Sequence, residues 1–392
     1  MLLSICALFL VGLGAGGLMK RLGLPSLLGM LLAGIFMGPY GANLLDINLL
    51  NISSQLRQMA LVIILLRAGL SLDIEKLKNV GPSAALMCFV PACFEMFAAI
   101  LIAPALFGFS IVEAALLGAV IAAVSPAVIV PKMLGLMEQG YGKSKGIPQM
   151  ILSGASVDDV FVIVLFTSFL SIAQGHQISG LQFHSIPLSI LFGIAGGIAA
   201  GILLANLFKI WATTHTMQTL ILLSVCFFLT GIEDVIKPFV PFSGLLAVMA
   251  CGVCVQRMRP SLVRSSSLQL SQLWVPAEAV LFVLVGASVD ISYLFSAGVA
   301  AVMLLCGTLL VRMMGVFVST LPSKLTMKER VFCMIAYTPK ATVQAAIGGI
   351  PLSVGLACGN TILAVAVLSI LVTAPIGAYF IERLAPKLLT RE

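Results

Sequence analysis

The chain has 392 residues, 60% of them hydrophobic and only 9% charged, with a mean hydropathy of +1.15 and a formal net charge of +7. Soluble globular domains carry about 25% charged residues, so this composition excludes a soluble fold and indicates an all-α polytopic membrane protein in a lipid bilayer. The basic excess is accounted for by loops that face anionic lipid, and no nucleic-acid partner is expected.

In chain order, the apolar runs predict thirteen transmembrane helices, at 2–19, 24–39, 57–72, 80–107, 111–136, 148–174, 185–209, 216–232, 239–256, 274–289, 293–320, 329–350 and 353–381. The first lacks a basic n-region and is followed by further spans, so it reads as a span and not as a signal peptide. Loops after odd-numbered spans hold Lys20, Arg21, Lys76, Lys78, Lys143, Lys145, Arg257, Arg259 and Arg264, among others. Loops after even-numbered spans hold only Arg57 and Lys237. The positive-inside rule then puts the odd loops in the cytoplasm. The N-terminus falls outside, and the C-terminal Arg383, Lys387 and Arg391 fall inside. With no targeting segment, the expected location is a bacterial inner (plasma) membrane.

The nine cysteines all lie in apolar spans, where they behave as small hydrophobes. Cys251 and Cys254 have CxxC spacing, but no second pair or neighbouring histidine completes a metal site. His176, His184 and His215 lie in or near loops and read as solvated.

Few charges remain inside the spans: Arg67, Glu95, Asp158, Asp159, Arg312 and Lys340, with Glu113 and Glu278 near span ends. Asp158 and Asp159 stand side by side in the sixth span. A carboxylate at the bilayer centre costs about 2.5–3.5 kcal/mol on insertion scales. An adjacent pair therefore reads as an ion or proton pathway in preference to packing glue. Successive helical residues point about 100° apart, so one aspartate can line a wet cavity while the other turns to a basic partner. Grouped together, three acids (Glu95, Asp158, Asp159) against two bases (Arg312, Lys340) leave −1, which suits one monovalent cation or a proton. Arg312 stays protonated, whereas a buried lysine can lose its proton. Lys340 is thus a candidate proton carrier and Arg312 a structural charge. Arg67 reads as snorkelling and Glu278 as hydrated near an interface.

The two halves of the chain echo each other. Leu66 to Asp73 ends span three, and Val285 to Asp290 ends span ten. Ser125-Pro126 in span five matches Thr338-Pro339 in span twelve. The Asp-to-Pro separations are similar, 126 − 73 = 53 and 339 − 290 = 49. An offset of seven spans is odd, so the copies cross the membrane in opposite directions. That is an inverted-topology repeat, typical of secondary transporters. Spans one to six pair with eight to thirteen, and span seven links them. Pro126 and Pro339 remove backbone donors. Broken helices at matching places in two halves mark a midplane binding site. Lys340 beside one break can neutralise the negative end of a half-helix, whereas Ala127 stands at the equivalent place in the other. Gly193, Gly197 and Gly201 recur every four residues in span seven, a close-packing signature.

Four stretches carry a family likeness: Leu65 to Asp73, Ser125 to Pro131, Gly154-Ala155-Ser156-Val157-Asp158-Asp159, and Pro339 to Gly348. Together they resemble the monovalent cation/proton antiporter superfamily, and within it the NHA-type sodium/proton antiporters, over nearly the whole chain. The resemblance implies a homodimer whose six-helix core carries the ion like an elevator against a dimerisation scaffold. The scaffold helices fall at 1–79 and 211–292, the core helices at 80–175 and 293–392, and the linker at 176–210. It implies no cofactor and no enzymatic activity, with Na+ or Li+ and H+ as the transported species. It assigns the cation to Asp159, with Asp158 beside it. It assigns a charge network to Glu95, Arg312 and Lys340, and the helix crossing to Ser125, Pro126, Thr338 and Pro339. Many members pair the first aspartate with a lysine on the helix matching span eleven. Arg312 stands there in this chain and is expected to bridge to Glu95, leaving Asp158 free. The expected mechanism is competition, with proton and cation taking the same carboxylates in turn.

Other readings compete. A sodium-coupled symporter for organic anions uses a related fold, but a cavity of acids repels anions. A potassium/proton antiporter fits the same residues, although no C-terminal nucleotide-binding domain of the gated potassium-efflux kind is present. An intramembrane aspartyl protease needs aspartates on facing helices, whereas adjacent ones point apart.

Overall fold

The computed structural model describes residues 1–71, 81–174, 185–210, 214–236 and 240–391. Every regular element among them is a helix. The first half comprises α1 (Leu2–Arg21), α2 (Ser26–Met37), α3 (Ile47–Asn51), α4 (Ser53–Ser71), α5 (Pro82–Met87), α6 (Val90–Phe107), α7 (Ile111–Ala122), α8 (Pro126–Glu138) and α9 (Ile147–Ala173). Then follow α10 (Ser185–Ile210), α11 (His215–Gly231), α12 (Glu233–Ile236), α13 (Gly244–Met258) and α14 (Pro260–Ala287). The last are α15 (Ile291–Ser319), α16 (Met327–Ala336), α17 (Thr342–Ile347), α18 (Ile350–Ser353) and α19 (Gly359–Leu388).

Among the described residues, eight helical stretches are long and apolar enough to cross a membrane: Leu2–Arg21, Pro82–Phe107, Ile111–Glu138, Ile147–Ala173, Leu188–Ile210, Ser265–Ala287, Gly298–Ser319 and Gly359–Leu388. Ser26–Met37, His215–Gly231 and Gly244–Met258 are shorter apolar helices. The chain is an integral membrane protein. Of the residues singled out in the sequence, Asp73, Lys76, Lys78, His176, His184 and Lys237 lie outside the described residues.

Three expected spans are interrupted, and proline explains the first two. Pro91 falls in the first turn of α6, after a turn at Cys88-Phe89. Pro126 opens α8, and Ala123 and Ser125 before it are extended, as a residue preceding proline prefers. In the twelfth segment the helix stops at Ala336 and resumes at Thr342, with Pro339 in the gap. The leading half-helices of the two broken segments share a start signal. Ser110 caps α7 and Thr326 caps α16, each in a capping box completed by Glu113 or Glu329.

The chain divides into two compact units. The larger comprises Met1–Ser54, Glu75–Gln174 and Leu281–Glu392. One of its apolar cores packs Ile129, Ile151, Ala155, Phe332, Tyr337 and Ile381 together, drawn from α8, α9, α16, α19 and the gap after α16.

The smaller unit comprises Gln55–Ile74 and Gly175–Val280. Here the glycine stripe of α10 lies against α13. A Cβ at Gly193 would sit 2.7 Å from Ser243 O, one at Gly201 2.7 Å from Cys254 Cβ, and one at Gly197 would run into Ala247 O. Gly69 on α4 makes a comparable approach to Met249 O at 2.5 Å. Close backbone contact of this kind replaces the hydrophobic effect as the cohesive force between helices in lipid. The sequence expects a loop before residue 274, yet α14 begins at Pro260. Its polar first turns are paired: Thr219 Oγ1 donates to Ser266 Oγ at 3.0 Å and Gln269 Nε2 to Thr216 Oγ1 at 3.1 Å. His215, exposed in the first turn of α11, meets Ser265 Oγ at 3.1 Å.

Candidate functional site

All the central charges named from the sequence lie in the larger unit, apart from Arg67. Glu95 comes from α6, Asp158 and Asp159 from α9, and Arg312 from α15; Lys340 stands in the gap between α16 and α17. Glu95, Asp158, Arg312 and Lys340 are fully buried, and Asp159 is 8% exposed.

Arg312 is the hub. Its Nη1 donates to Glu95 Oε2 at 2.8 Å and its Nη2 to Asp158 Oδ2 at 3.1 Å. Its Nε donates to Tyr337 O at 2.8 Å, and its guanidinium lies 5.2 Å from the centroid of the Tyr337 ring. Lys340 Nζ donates to the same Glu95 oxygen at 2.8 Å. The expectation that Arg312 bridges to Glu95 and leaves Asp158 free is therefore half right. A planar guanidinium has donors enough for both carboxylates, and Arg312 holds both.

The network also closes the end of α7. A helix leaves its last four carbonyls without intrahelical partners, and water in hydrocarbon is not available to take them. Here side chains from the C-terminal half take three. Lys340 Nζ donates to Ile121 O, Arg312 Nη1 to Ala122 O, and Gln344 Nε2 to Ala123 O at 2.8 Å. The positive charges face the negative end of the helix dipole. Within the break itself, Val124 N donates to Asp158 Oδ2 at 2.9 Å.

The two breaks touch directly. Ser125 N donates to Pro339 O at 2.8 Å, across 214 residues of sequence (339 − 125). Pro126 starts α8 beyond it. Thr338 turns back on its own helix, its hydroxyl donating to Ile335 O at 2.9 Å. Lys340 N is held by Thr373 Oγ1 of α19 at 2.9 Å.

Asp158 and Asp159 diverge as helical geometry requires. Asp158 faces Arg312 and the α7–α8 break. Asp159 makes no ion pair among the described residues. The buried oxygens Asp158 Oδ1, Asp159 Oδ1, Glu95 Oε1 and Ser125 Oγ have no hydrogen-bond partner among the described residues. The site therefore presents unsatisfied oxygen acceptors, the kind of group that can take a hard cation or a proton.

Arg67, on α4, and Glu278, on α14, belong to the smaller unit. Sequence reasoning did not assign Tyr337, Gln344 or Thr373 to the site. Tyr337 directly precedes the Thr338-Pro339 echo of Ser125-Pro126, and Gln344 lies within the Pro339-to-Gly348 stretch of the family likeness, which are the signals that point to them. Thr373 carries none.

The profile of the family described as "Sodium/hydrogen exchanger, transmembrane" matches residues 5–385. Sodium/hydrogen exchanger 9B2 of Homo sapiens is 33% identical over 384 residues, covering 94% of this chain and 70% of that protein. Sodium/hydrogen exchanger 9B1 of Homo sapiens is 32% identical over 382 residues, covering 94% and 73%. Among solved structures, the sodium proton antiporter MjNhaP1 from Methanocaldococcus jannaschii superposes with a TM-score of 0.83 at 19% identity, covering 98% of this chain and 97% of that one, and so shares its fold. With the family profile covering almost the whole chain and the relatives aligned along nearly all of it, the chain belongs to the sodium/hydrogen exchanger family.

Proposed function

We propose that the protein exchanges sodium, or lithium, for protons across a membrane, with cation and proton competing for Asp159 and its neighbour Asp158. The observation that carries this reading is the pair of buried carboxyl oxygens, Asp158 Oδ1 and Asp159 Oδ1, that no group among the described residues bonds. Within the network, Glu95 and Asp158 against Arg312 and Lys340 sum to zero. Asp159 is then the uncompensated charge. An ionised carboxylate at this depth is unstable alone, so it crosses the bilayer only with a cation bound or a proton added. That condition couples the two fluxes.

The alternating-access step is an elevator movement. Residues 80–175 and 293–392 form the moving core, residues 1–79 and 211–292 the scaffold through which two copies dimerise, and 176–210 the linker. Thirteen spans arranged as two inverted six-helix repeats suit this movement. The capping boxes at Ser110 and Thr326, which open the two broken segments, support the repeat. The positive-inside bias puts the N-terminus outside and the C-terminus in the cytoplasm of a plasma or bacterial inner membrane. Lys340 and Arg312 hold the break-facing carbonyls of α7 throughout, so the site moves as one piece.

The test is exchange by purified protein in liposomes. A sodium or lithium gradient is expected to move protons in the opposite direction. Sodium-dependent uptake of an organic anion with no proton movement would overturn the reading, and a response to potassium alone would change the ion.

A further inference from the structure

The glycine that opens the Gly154-to-Asp159 stretch plays no part in the ion chemistry above. A Cβ at Gly154 would lie 2.7 Å from the Tyr337 hydroxyl and 2.9 Å from Met87 Cβ. Only a residue without a Cβ lets α9 come this close. What it rests on is a hydrogen bond: the Tyr337 hydroxyl donates to Met87 O at 3.0 Å, and both residues are fully buried.

Pro91 explains why that bond exists. In an unbroken helix the N–H of residue 91 would bond the carbonyl of residue 87. Proline has no N–H, so the Met87 carbonyl must find another donor in a region without water. Tyr337 supplies it. The rest of Tyr337 is already tied to Arg312, by its carbonyl at 2.8 Å and by its ring at 5.2 Å. Gly154 lies one turn before Asp158 on the same face of α9, and Asp158 Oδ2 receives Arg312 Nη2 at 3.1 Å. One tyrosine thus touches both the arginine and the seat of the aspartate helix.

We propose that Tyr337 is a positioning residue for exchange. Its hydroxyl, bonded to Met87 O, sets how deeply α9 sits, and so sets the distance between Asp158 and Arg312 and the placing of Asp159 beside it. This inference rests on the exchange reading and adds to it a residue that touches neither cation nor proton.

The experiment compares four reconstituted proteins: wild type, Tyr337→Phe, Gly154→Ala and the double variant. Exchange is measured against sodium concentration and pH, and thermal unfolding is followed in detergent. Tyr337→Phe keeps the ring and loses the bond. It is expected to raise the apparent KM for sodium about three- to tenfold, with maximal rate within about twofold of wild type and the pH of half-maximal activity displaced. Gly154→Ala is expected to lose most activity. The double variant should be partly restored, more active and more heat-resistant than Gly154→Ala alone, because removing the hydroxyl relieves the tighter of the two clashes and leaves only that with Met87 Cβ. A Tyr337→Phe protein with wild-type KM and pH profile would overturn the proposal. So would a fall in maximal rate alone, or melting-temperature effects that simply add. If the wild type exchanges no cation, the functional reading fails. The melting-temperature cycle then still decides whether Gly154 and Tyr337 are coupled.

Discussion

Lys340 and Glu95 are joined by a 2.8 Å hydrogen bond with neither side chain exposed to solvent. The bond closes a four-charge network in which Glu95 Oε2 serves Lys340 and Arg312 together. Two cations share one carboxylate oxygen, and Lys340 has no other ion pair among the described residues, so loss of Glu95 leaves Lys340 buried and unpaired while Arg312 keeps Asp158.

We predict that Glu95→Ala destabilises the protein by about 3–5 kcal/mol, the usual cost of breaking a buried ion pair from one side. Thermal unfolding in detergent measures this. A melting temperature equal to that of the wild type would show that Asp158 alone suffices for both cations.

Asp158 is bonded to Arg312 and to Val124 N, and Arg312 keeps Glu95 without it. We therefore predict that Asp158→Asn folds and reaches the membrane but exchanges more slowly than wild type. Initial rates at equal protein in liposomes test this, and a wild-type rate would remove Asp158 from the ion site.

Gln344 donates to Ala123 O at 2.8 Å and is fully buried. Gln344→Leu keeps the bulk and removes the donor. The carbonyl left unsatisfied should cost about 1–3 kcal/mol. The predicted result is a lowered melting temperature, whereas an unchanged one would mean that the end of α7 is held by Lys340 and Arg312 alone.

In the smaller unit, Gly197 lies where a Cβ would run into Ala247 O. Gly197→Ala must push α10 from α13. We predict a loss of about 1–3 kcal/mol, typical of overpacking, with a lowered melting temperature in detergent. Full stability would mean that the helices slide apart at no cost.

How much of this could be read beforehand follows from what hydrocarbon penalises. A charge in the bilayer is conspicuous, because only another charge, a proton or an ion can offset it. Glu95, Asp158, Arg312 and Lys340 could thus be gathered from the sequence before any contact was known. Prolines at 126 and 339 were equally conspicuous, and the 2.8 Å bond from Ser125 N to Pro339 O joins the breaks they flank. The pairing inside the cluster was not readable, since spacing along a chain does not say which way a guanidinium forks. Tyr337 and Gln344 are neutral and carry too small an insertion penalty to stand out in a sequence. The polar run from Ser265 to Gln272 reads as loop in the sequence, whereas it is helical in α14, where Ser266 and Gln269 pair with Thr219 and Thr216 on α11. The capping boxes at Ser110 and Thr326 were readable as Ser/Thr-x-x-Glu before apolar runs, and would have strengthened the repeat.

The most direct test is proton movement in liposomes with an acid interior, sodium, lithium or potassium added outside, and internal pH followed by a dye. The wild type is predicted to alkalinise the interior with sodium or lithium, and Asp159→Asn to give no response while remaining folded. Normal exchange by folded Asp159→Asn protein would contradict the assignment of the ion to this carboxylate.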